Sequence, residues 1–147
     1  MRLTAYTNYA LRILMYCAVN SEGLVRVQDI AEAYGISKAH LLKATRQLGQ
    51  LGYLENVRGR NGGVRLSRPA GEIRVGDVAQ EFERDDVFVE CFNSSTNSCP
   101  IAGVCRLTGT FRSGLDAFFT ELNKVSLADL VSGNTGLHRR LDLNPAH

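Results

Sequence analysis

Apolar residues recur every three or four positions through the first fifty residues, and this spacing predicts three helices. Thr7 or Asn8 is predicted to cap the first helix, and a second helix is predicted over residues 27–34, ended by Gly35. Ser37 is predicted to cap the third helix. Two helices joined by a short turn that contains glycine are typical of a helix-turn-helix.

Two short segments of alternating apolar and polar residues follow, and they predict a β-hairpin. The strands are expected over residues 53–57 and 64–67, with an asparagine and two glycines in the turn that supply positive φ angles. Arg58, Arg60 and Arg65 lie in or beside this turn. A basic, glycine-rich hairpin directly after a helix-turn-helix predicts a winged helix, because glycines let the backbone approach DNA while arginines contribute charge.

The third predicted helix has a polar face opposite its leucines, and this face is expected to enter the major groove of double-stranded DNA. Together with the hairpin arginines it gives eight candidate DNA-binding residues: Ser37, Lys38, His40, Lys43, Arg46, Arg58, Arg60 and Arg65. Ser37 is expected to contact a phosphate at the helix amino terminus. Lys43 and Arg46 are expected to reach guanine edges or phosphates, and His40 is interpreted as a DNA contact or a surface residue.

Charge is distributed unevenly along the chain, although the net charge of the 147 residues is only +2. Residues 1–70 contain ten basic and four acidic residues, whereas residues 71–147 contain seven basic and eleven acidic residues. This asymmetry favours a polyanionic partner for the first half. A merely solvated basic face is the alternative, and the helix-turn-helix with its basic wing favours DNA.

The second half predicts a short helix over residues 75–82, a long helix from Arg106 and a last short helix over residues 126–131. The long helix carries an apolar stripe formed by Leu107, Phe111, Leu115, Phe118 and Leu122. Such a stripe needs a partner, and the two-fold symmetry of DNA half-sites favours the same helix of a second subunit. We therefore expect a homodimer on a palindromic operator, with packing into the core of its own domain as the alternative.

The expected fold class is mainly α with a small β-hairpin wing. A winged helix-turn-helix DNA-binding domain is predicted over residues 1–70, a cysteine loop and dimerisation helix over residues 71–134, and a flexible tail over residues 135–147. No apolar run is long enough to span a bilayer, and the first residues lack the apolar segment of a signal peptide. The expected localisation is therefore cytoplasmic, with no membrane partner.

Three of the four cysteines, Cys91, Cys99 and Cys105, fall within fifteen residues of a polar, turn-forming stretch. Thiolates gathered on such a stretch predict a metal or cluster site, with a thiol redox switch or inert thiols as alternatives. The gaps between them are wider than in structural zinc knuckles and unlike those of ferredoxins, so the spacing does not identify the metal. Cys17 lies in an apolar run and is interpreted as a core residue.

Several of these segments together resemble the winged-helix iron–sulfur transcription regulators of the Rrf2 superfamily, the group that includes IscR, NsrR and RirA. The similar segments are MRLT (1–4), YALR (9–12), VRGRNGGVRL (57–66), GDV (76–78), CPIAGVCRL (99–107) and LADL (127–130). The resemblance implies a homodimeric transcriptional repressor in which Cys91, Cys99 and Cys105 hold an iron–sulfur cluster. A four-iron–four-sulfur (4Fe-4S) cluster is expected, with a two-iron–two-sulfur (2Fe-2S) cluster as the alternative.

Residues 99–107 and 127–130 are most similar to the nitric-oxide-sensing NsrR branch, which implies a repressor that leaves DNA when nitric oxide reaches its cluster. In NsrR-type relatives a carboxylate in the first helix of the partner subunit is the fourth ligand, and Asn8 occupies the matching position here. An asparagine amide is a poor iron ligand, so another group fills the site or one iron stays open. Residues 7–10 also resemble the RirA branch, which makes an iron-responsive regulator of iron homeostasis the alternative.

Functions of two other classes compete with this interpretation. A zinc-stabilised DNA-binding protein would use the three thiolates and one further side chain in a tetrahedral site, and a thiol-redox regulator would use them without a metal. An enzyme with an activated cysteine needs a base and an orienting acid near the thiol, whereas His138 and His147 lie in the predicted tail. The sequence therefore predicts a protein that is not an enzyme.

Overall fold

The structure, a computed structural model, describes residues 2–142, which contain seven α-helices, two single-turn 3-10 helices (Ala70–Glu72 and Glu90–Phe92) and one β-hairpin. In chain order the α-helices and strands are α1 (Ala5–Val19), α2 (Val27–Tyr34), α3 (Lys38–Gln50), β1 (Leu54–Val57), β2 (Gly63–Leu66), α4 (Val75–Glu83), α5 (Leu107–Leu122), α6 (Leu127–Val131) and α7 (Thr135–Leu141). The two strands pair antiparallel. The predicted fold class, mainly α with a small hairpin wing, is confirmed. None of the helices within residues 2–142 is long and apolar enough to cross a membrane.

The first helix begins earlier than the sequence predicts. Thr4 is the N-cap of α1, and its hydroxyl accepts a hydrogen bond from the Thr7 backbone N–H at 3.3 Å. Thr7 and Asn8, predicted as caps, lie inside the helix, and Thr7 is fully buried. Threonine and asparagine are both favourable N-cap residues, so the local sequence offers three candidates within about one turn. The packing of the helix decides between them, and the N-cap is the first of the three.

The turn between α2 and α3 depends on Gly35, which ends α2 with a φ of 63°. Glycine adopts this left-handed conformation without steric cost, as the sequence predicts. Large side chains from the first three helices then meet in a core that includes Ile13, Leu14, Ile30, Leu41 and Leu48, all fully buried. Burial of each such side chain stabilises the fold by about 1.5–3 kcal/mol, so the packing fixes which face of α3 points outward.

The wing is fastened to the helices at its base. Val25, in the connection between α1 and α2, exchanges two backbone hydrogen bonds with Val64 of β2, at 2.9 and 2.8 Å. A side chain at Gly63 would place its Cβ only 2.6 Å from the Val25 carbonyl oxygen, so glycine is required for this approach. The hairpin therefore projects from a fixed base, with residues 58–62 forming its tip.

The hydrophobic core crosses residue 70, the predicted domain boundary. Ile73, Val78 and Leu127 are buried in the same cluster as the apolar face of α1. The helix α5 is different, since Phe119 is its only buried residue in the described chain. This helix and the stretch before it, residues 84–106, here called the cysteine segment, therefore lie outside the main core.

Residues 135–141, predicted as part of a flexible tail, form helix α7 instead. Asn134 is its N-cap and accepts a hydrogen bond from the Leu137 backbone N–H at 3.1 Å. Leu141 is buried, and its carbonyl oxygen accepts a hydrogen bond from the Asn20 side chain at 2.9 Å. The tail prediction is wrong here because two turns of apolar spacing are too few to stand out in a sequence. Residues 143–147, also predicted as tail, lie outside the described residues.

Candidate functional site

All eight side chains predicted to contact DNA are exposed on the helix-turn-helix and the wing. Ser37 is the N-cap residue of α3, yet its side chain makes no capping hydrogen bond to that helix. Its hydroxyl and the first N–H groups of α3 therefore remain available to a phosphate. Lys38 and Arg46 are exposed on the same helix and add positive charge to this surface.

Two of these residues, His40 and Lys43, contact the first turns of α1. The Lys43 ammonium lies 4.5 Å from the centre of the Tyr6 ring, which is a cation–π contact. The His40 ring stacks on Tyr9, with centroids 6.1 Å apart and 12° between the ring planes. Tyr6 and Tyr9 therefore restrict where these two side chains of α3 can lie.

In the wing, Arg65 differs from the two arginines nearer the tip. Its Nε donates a hydrogen bond to the Glu55 carboxylate at 2.7 Å, with Glu55 directly opposite it in the hairpin. This bond holds the pKa of Glu55 below its usual value. Exposed ion pairs contribute little to stability, so a DNA phosphate can replace Glu55 as the partner of Arg65.

Arg58 and Arg60 lie at the tip beside Gly59, whose φ is 111°. The prediction that residues 61–63 supply the positive φ angles of the turn is wrong, because the chain reverses at Gly59, whose carbonyl accepts a hydrogen bond from the Gly62 N–H at 3.0 Å.

Short-range hydrogen bonds shape the cysteine segment. The Glu90 carboxylate accepts hydrogen bonds from the backbone N–H and the hydroxyl of Ser98, both at 2.7 Å, and these bonds lower its pKa. The Asn93 side chain accepts a hydrogen bond from the Ser95 backbone N–H at 3.1 Å. Most residues of the segment are exposed.

Phe88 and Phe92 of the cysteine segment contact each other. Phe88 also contacts Phe111 of α5, and Phe92 contacts Arg112 of the same helix. The conformation of the segment therefore rests on local polar contacts and a small aromatic cluster outside the main core.

Cys91 and Cys105 meet at the amino terminus of α5. The Thr108 hydroxyl donates a hydrogen bond to the Cys91 sulfur at 3.4 Å. The backbone N–H groups of Thr108 and Leu107 hydrogen-bond to the Cys105 sulfur and lower the pKa of that thiol, and the Thr108 side chain adds to this shift. One threonine in the first turn of α5 therefore contacts both sulfurs, where helix N–H groups favour the thiolate form.

Cys99 and Asn8 are not part of this arrangement. The backbone N–H of Cys99 donates to the Asn97 side chain at 3.0 Å, and its carbonyl accepts from the Ala102 N–H at 3.1 Å. Asn8 is exposed on α1. Within residues 2–142, no three histidine, cysteine or acidic side chains lie close enough together to hold a metal ion. That all three cysteines hold one cluster therefore stays a prediction, and it requires the turn that carries Cys99 to move toward α5.

The chemistry of the donors fits an iron–sulfur cluster. Cys91, Cys99 and Cys105 are partly exposed free thiols on a turn-forming stretch, and thiolates are the usual ligands of such clusters. Two of the three sulfurs already lie at a helix amino terminus, which suits an anionic group. Cys17 is a contrast, because it is 2% exposed in the core and burial raises the pKa of its thiol to about 12. Its interpretation as a core residue is confirmed.

The predicted dimer stripe of α5 is only partly covered by the described chain. Leu107 and Phe111 are 53% and 37% exposed, whereas Leu115, Phe118 and Leu122 are half-buried. Leu115 and Phe118 line an open groove of about 760 Å³ that also includes the end of α4. A second subunit would cover this apolar surface, so the homodimer stays a prediction that the exposure favours.

Sequence reasoning missed four residues that organise the site: Tyr6, Tyr9, Glu83 and Thr108. Tyr6 and Tyr9 follow the helical pattern of α1, which gives no sign that their rings contact α3. Thr108 could have been noticed as a hydroxyl in the first turn of a helix that begins just after Cys105. Nothing in the sequence around Glu83 indicates its contacts, because its hydrogen-bond partner Thr4 is almost eighty positions away in the sequence.

Nearly the whole chain is similar to one known family of proteins. The family model described as "Rrf2: Iron-dependent Transcriptional regulator" matches residues 3–133. Protein aau3 of Rhizobium meliloti (strain 1021) is 46% identical over 143 residues, which cover 97% of this chain and 93% of that protein. The HTH-type transcriptional regulator NsrR of Bacillus subtilis (strain 168) is 42% identical over 144 residues, covering 97% of this chain and 99% of that protein.

Solved structures of similar fold agree with the winged-helix arrangement. CymR, described as the global cysteine regulator of B. subtilis, superposes with a TM-score of 0.69 at 23% identity, covering 90% of this chain and 97% of that chain. T. potens IscR superposes with a TM-score of 0.67 at 23% identity, covering 88% and 85% of the two chains. At this level of identity the likeness concerns the fold.

Proposed function

Because the chain belongs to the Rrf2 family of iron-dependent transcriptional regulators, we propose that it is a cytoplasmic, homodimeric repressor that senses nitric oxide through an iron–sulfur cluster. Cys91, Cys99 and Cys105 would hold the cluster, and the helix-turn-helix with its wing would bind a palindromic operator. The NsrR relatives, above 40% identical over almost their full length, support a transcriptional repressor.

The observation that carries this proposal is that the sulfurs of Cys91 and Cys105 both interact with Thr108 in the first turn of α5. When bound, the cluster would supply iron that nitric oxide can attack. The protein itself would hold the thiolates in place. The N–H groups at the start of α5 stabilise the sulfur of Cys105, and the Thr108 hydroxyl orients the sulfur of Cys91. Cys99 would join them when its turn folds toward α5, which gives the cysteine segment two conformations.

Exposed positive charge on α3 and at the wing tip supports DNA binding. Lys38 and Arg46 on α3, with Arg58 and Arg60 at the wing tip, are exposed and make no ion pair within the described residues. Phosphates attract such groups, and each contact makes binding weaker as salt rises. The two α3 helices of a dimer would lie in successive major grooves of the operator.

An iron-responsive regulator is the second candidate, and two observations favour it. The matching family is described as iron-dependent. The residue at the predicted fourth-ligand position is Asn8, whose amide binds iron poorly compared with a carboxylate. A site closed by three thiolates alone would lose iron readily, so the same residues would report iron supply rather than nitric oxide.

Native mass spectrometry of protein purified without oxygen tests the proposal first. We expect a dimer with one four-iron–four-sulfur cluster per chain. Titration with nitric oxide and, separately, with an iron chelator would then be followed by fluorescence anisotropy of a DNA duplex selected from a random pool. Release of DNA by nitric oxide supports the NsrR-like function, and release by the chelator alone supports the iron-responsive one. A zinc-containing or metal-free dimer would contradict both.

A further inference from the structure

Glu83 connects the cysteine segment to the start of α1. It is the last residue of α4 and directly precedes the cysteine segment. One oxygen of its carboxyl group accepts hydrogen bonds from the Thr4 backbone N–H at 2.8 Å, from the Thr4 hydroxyl at 3.0 Å, and from the Thr7 hydroxyl. Thr7 is fully buried, while Thr4 and Glu83 are half-buried. Loss of the acceptor would leave donors with little access to water, which is costly.

The helix α1 contains no acidic residue in its own first turn. The free N–H groups at a helix amino terminus favour a nearby negative group. Here Glu83 provides that group from a different helix. The position of the first turn of α1 therefore depends on where α4 ends.

The same two turns of α1 carry the contacts to the recognition helix. Tyr6 lies under the Lys43 ammonium, and Tyr9 stacks on His40. A shift of the start of α1 would move the rings against which these two DNA-facing side chains rest. A continuous series of contacts thus runs from Glu83 to the surface that meets DNA.

The other end of α4 is fixed to α5. The side chain of Asn123, the C-cap of α5, accepts a hydrogen bond from the Asp77 backbone N–H at 2.7 Å and donates one to the Asp77 carboxylate at 2.8 Å. A Cβ on Gly76 would lie 2.4 Å from the Phe119 carbonyl oxygen, so the two helices touch backbone to backbone. Hence α4 is held between α5 and α1, and Glu83 is at its end nearer the cysteines.

We propose that Glu83 is a positioning residue that couples the state of the cysteine segment to DNA recognition through Thr4, Thr7 and the first turns of α1. The inference rests on the proposed function, since it requires the segment to change when its thiolates gain or lose a ligand. A ligand shifts a conformational equilibrium only by the difference in its affinity for the two states. The Glu83 hydrogen bonds, made in one state and weakened in the other, would provide such a difference at the DNA surface.

The test compares the DNA affinity of cluster-loaded and cluster-free protein for wild type, Glu83→Gln and Thr7→Val. The readout is the ratio of the two dissociation constants, measured by anisotropy on the duplex selected by the wild-type protein. We expect each substitution to reduce this ratio by about 3-fold or more while iron content stays at the wild-type level. Glu72→Gln is the matched control, because Glu72 is an exposed glutamate outside α4 and the cysteine segment and forms none of the ion pairs found within the described residues.

A purely structural role would lower the melting temperature and weaken both DNA affinities equally, leaving the ratio unchanged, and this result would overturn the inference. Combination of Glu83→Gln with His40→Ala gives a second check, since coupled residues produce non-additive losses of DNA affinity. Additive losses would also count against it. If the two dissociation constants of the wild-type protein are equal, or if it holds no cluster, then the proposed function itself has failed rather than the role of Glu83.

Discussion

Cys17 and Cys105 carry the same thiol in opposite surroundings. Cys17 lies in the core beside apolar residues of α1, and burial raises its pKa to about 12. Cys105 is partly exposed at the start of α5, where the N–H groups of Thr108 and Leu107 lower its pKa. A thiol is thus made inert or reactive by its position in the fold, because the thiolate is the form that binds metals and reacts.

The regions around the two cysteines also differ in what holds them together. The core around α1 is built from fully buried side chains contributed by several helices and the wing. The cysteine segment is held by local polar contacts such as those between Glu90 and Ser98, and by the partly exposed rings of Phe88 and Phe92. A ligand can therefore reshape the segment at small cost without unpacking the core.

Removal of one ligand should give the largest effect. We expect Cys99→Ala to lose the cluster, and with it the cluster-dependent change in DNA affinity, while the protein stays folded because no core contact is removed. Iron and sulfide analysis and circular dichroism would measure the two outcomes. Cys17→Ala is the matched control and should retain the cluster. Normal cluster content in Cys99→Ala would show that Cys99 is not a ligand.

The core should be far more sensitive to truncation than the cysteine segment. Leu14→Ala removes a fully buried side chain and should lower the free energy of unfolding by about 2–5 kcal/mol. Val104→Ala, at a side chain that is 81% exposed, should change it by less than about 0.5 kcal/mol. Urea unfolding of metal-free protein measures both, and similar losses for the two variants would remove the contrast between the regions.

The two thiols should also differ in their reaction with iodoacetamide. A lowered pKa means that the Cys105 thiolate is present at a lower pH than that of an ordinary cysteine, so we expect modification of metal-free protein at neutral pH. Cys17, with a pKa of about 12 and no access to solvent, should react only after unfolding in urea. Peptide mass spectrometry identifies the modified site. Prompt modification of Cys17 in the folded protein would be inconsistent with its burial.

The smallest effect concerns the wing, which lies away from both cysteines. Arg60→Ala should weaken DNA binding by removing one phosphate contact, and should reduce the slope of log affinity against log salt by about 1. Cluster content should not change. Arg139→Ala, an exposed substitution on α7, serves as the control. Unchanged affinity and salt slope in Arg60→Ala would exclude a DNA contact at this position.

The helix-turn-helix and the wing could be predicted because their signals are local. Gly35 needs a positive φ whatever the rest of the chain does, and a basic, glycine-rich turn between two short alternating segments is typical of a hairpin. Which glycine adopts the positive φ was not predictable in this way, since it is Gly59 rather than Gly62 or Gly63. The bounds of α2 and α4 follow from apolar spacing for the same reason. Where several local signals are equivalent, as with Thr4, Thr7 and Asn8 at the start of α1, only packing decides between them.

Contacts between distant residues could not be predicted in this way. The three cysteines are apparent from their spacing, but the role of Thr108 depends on α5 starting where its hydroxyl reaches Cys91. Glu83 meets Thr4 and Thr7 only because α4 packs across α1. Such residues have ordinary types at ordinary spacings, so their importance is visible only in three dimensions.

The backbone pair between Val25 and Val64 has a consequence for the shape of the DNA. Because the base of the wing is hydrogen-bonded to the helices, its direction is set before binding and only the tip at residues 58–62 has freedom left to lose. A wing with a fixed base adapts little to the groove, so a duplex that does not fit it would have to bend or narrow. Operators with easily deformed base steps under the wing should therefore bind more tightly than stiff ones, even where no base is touched.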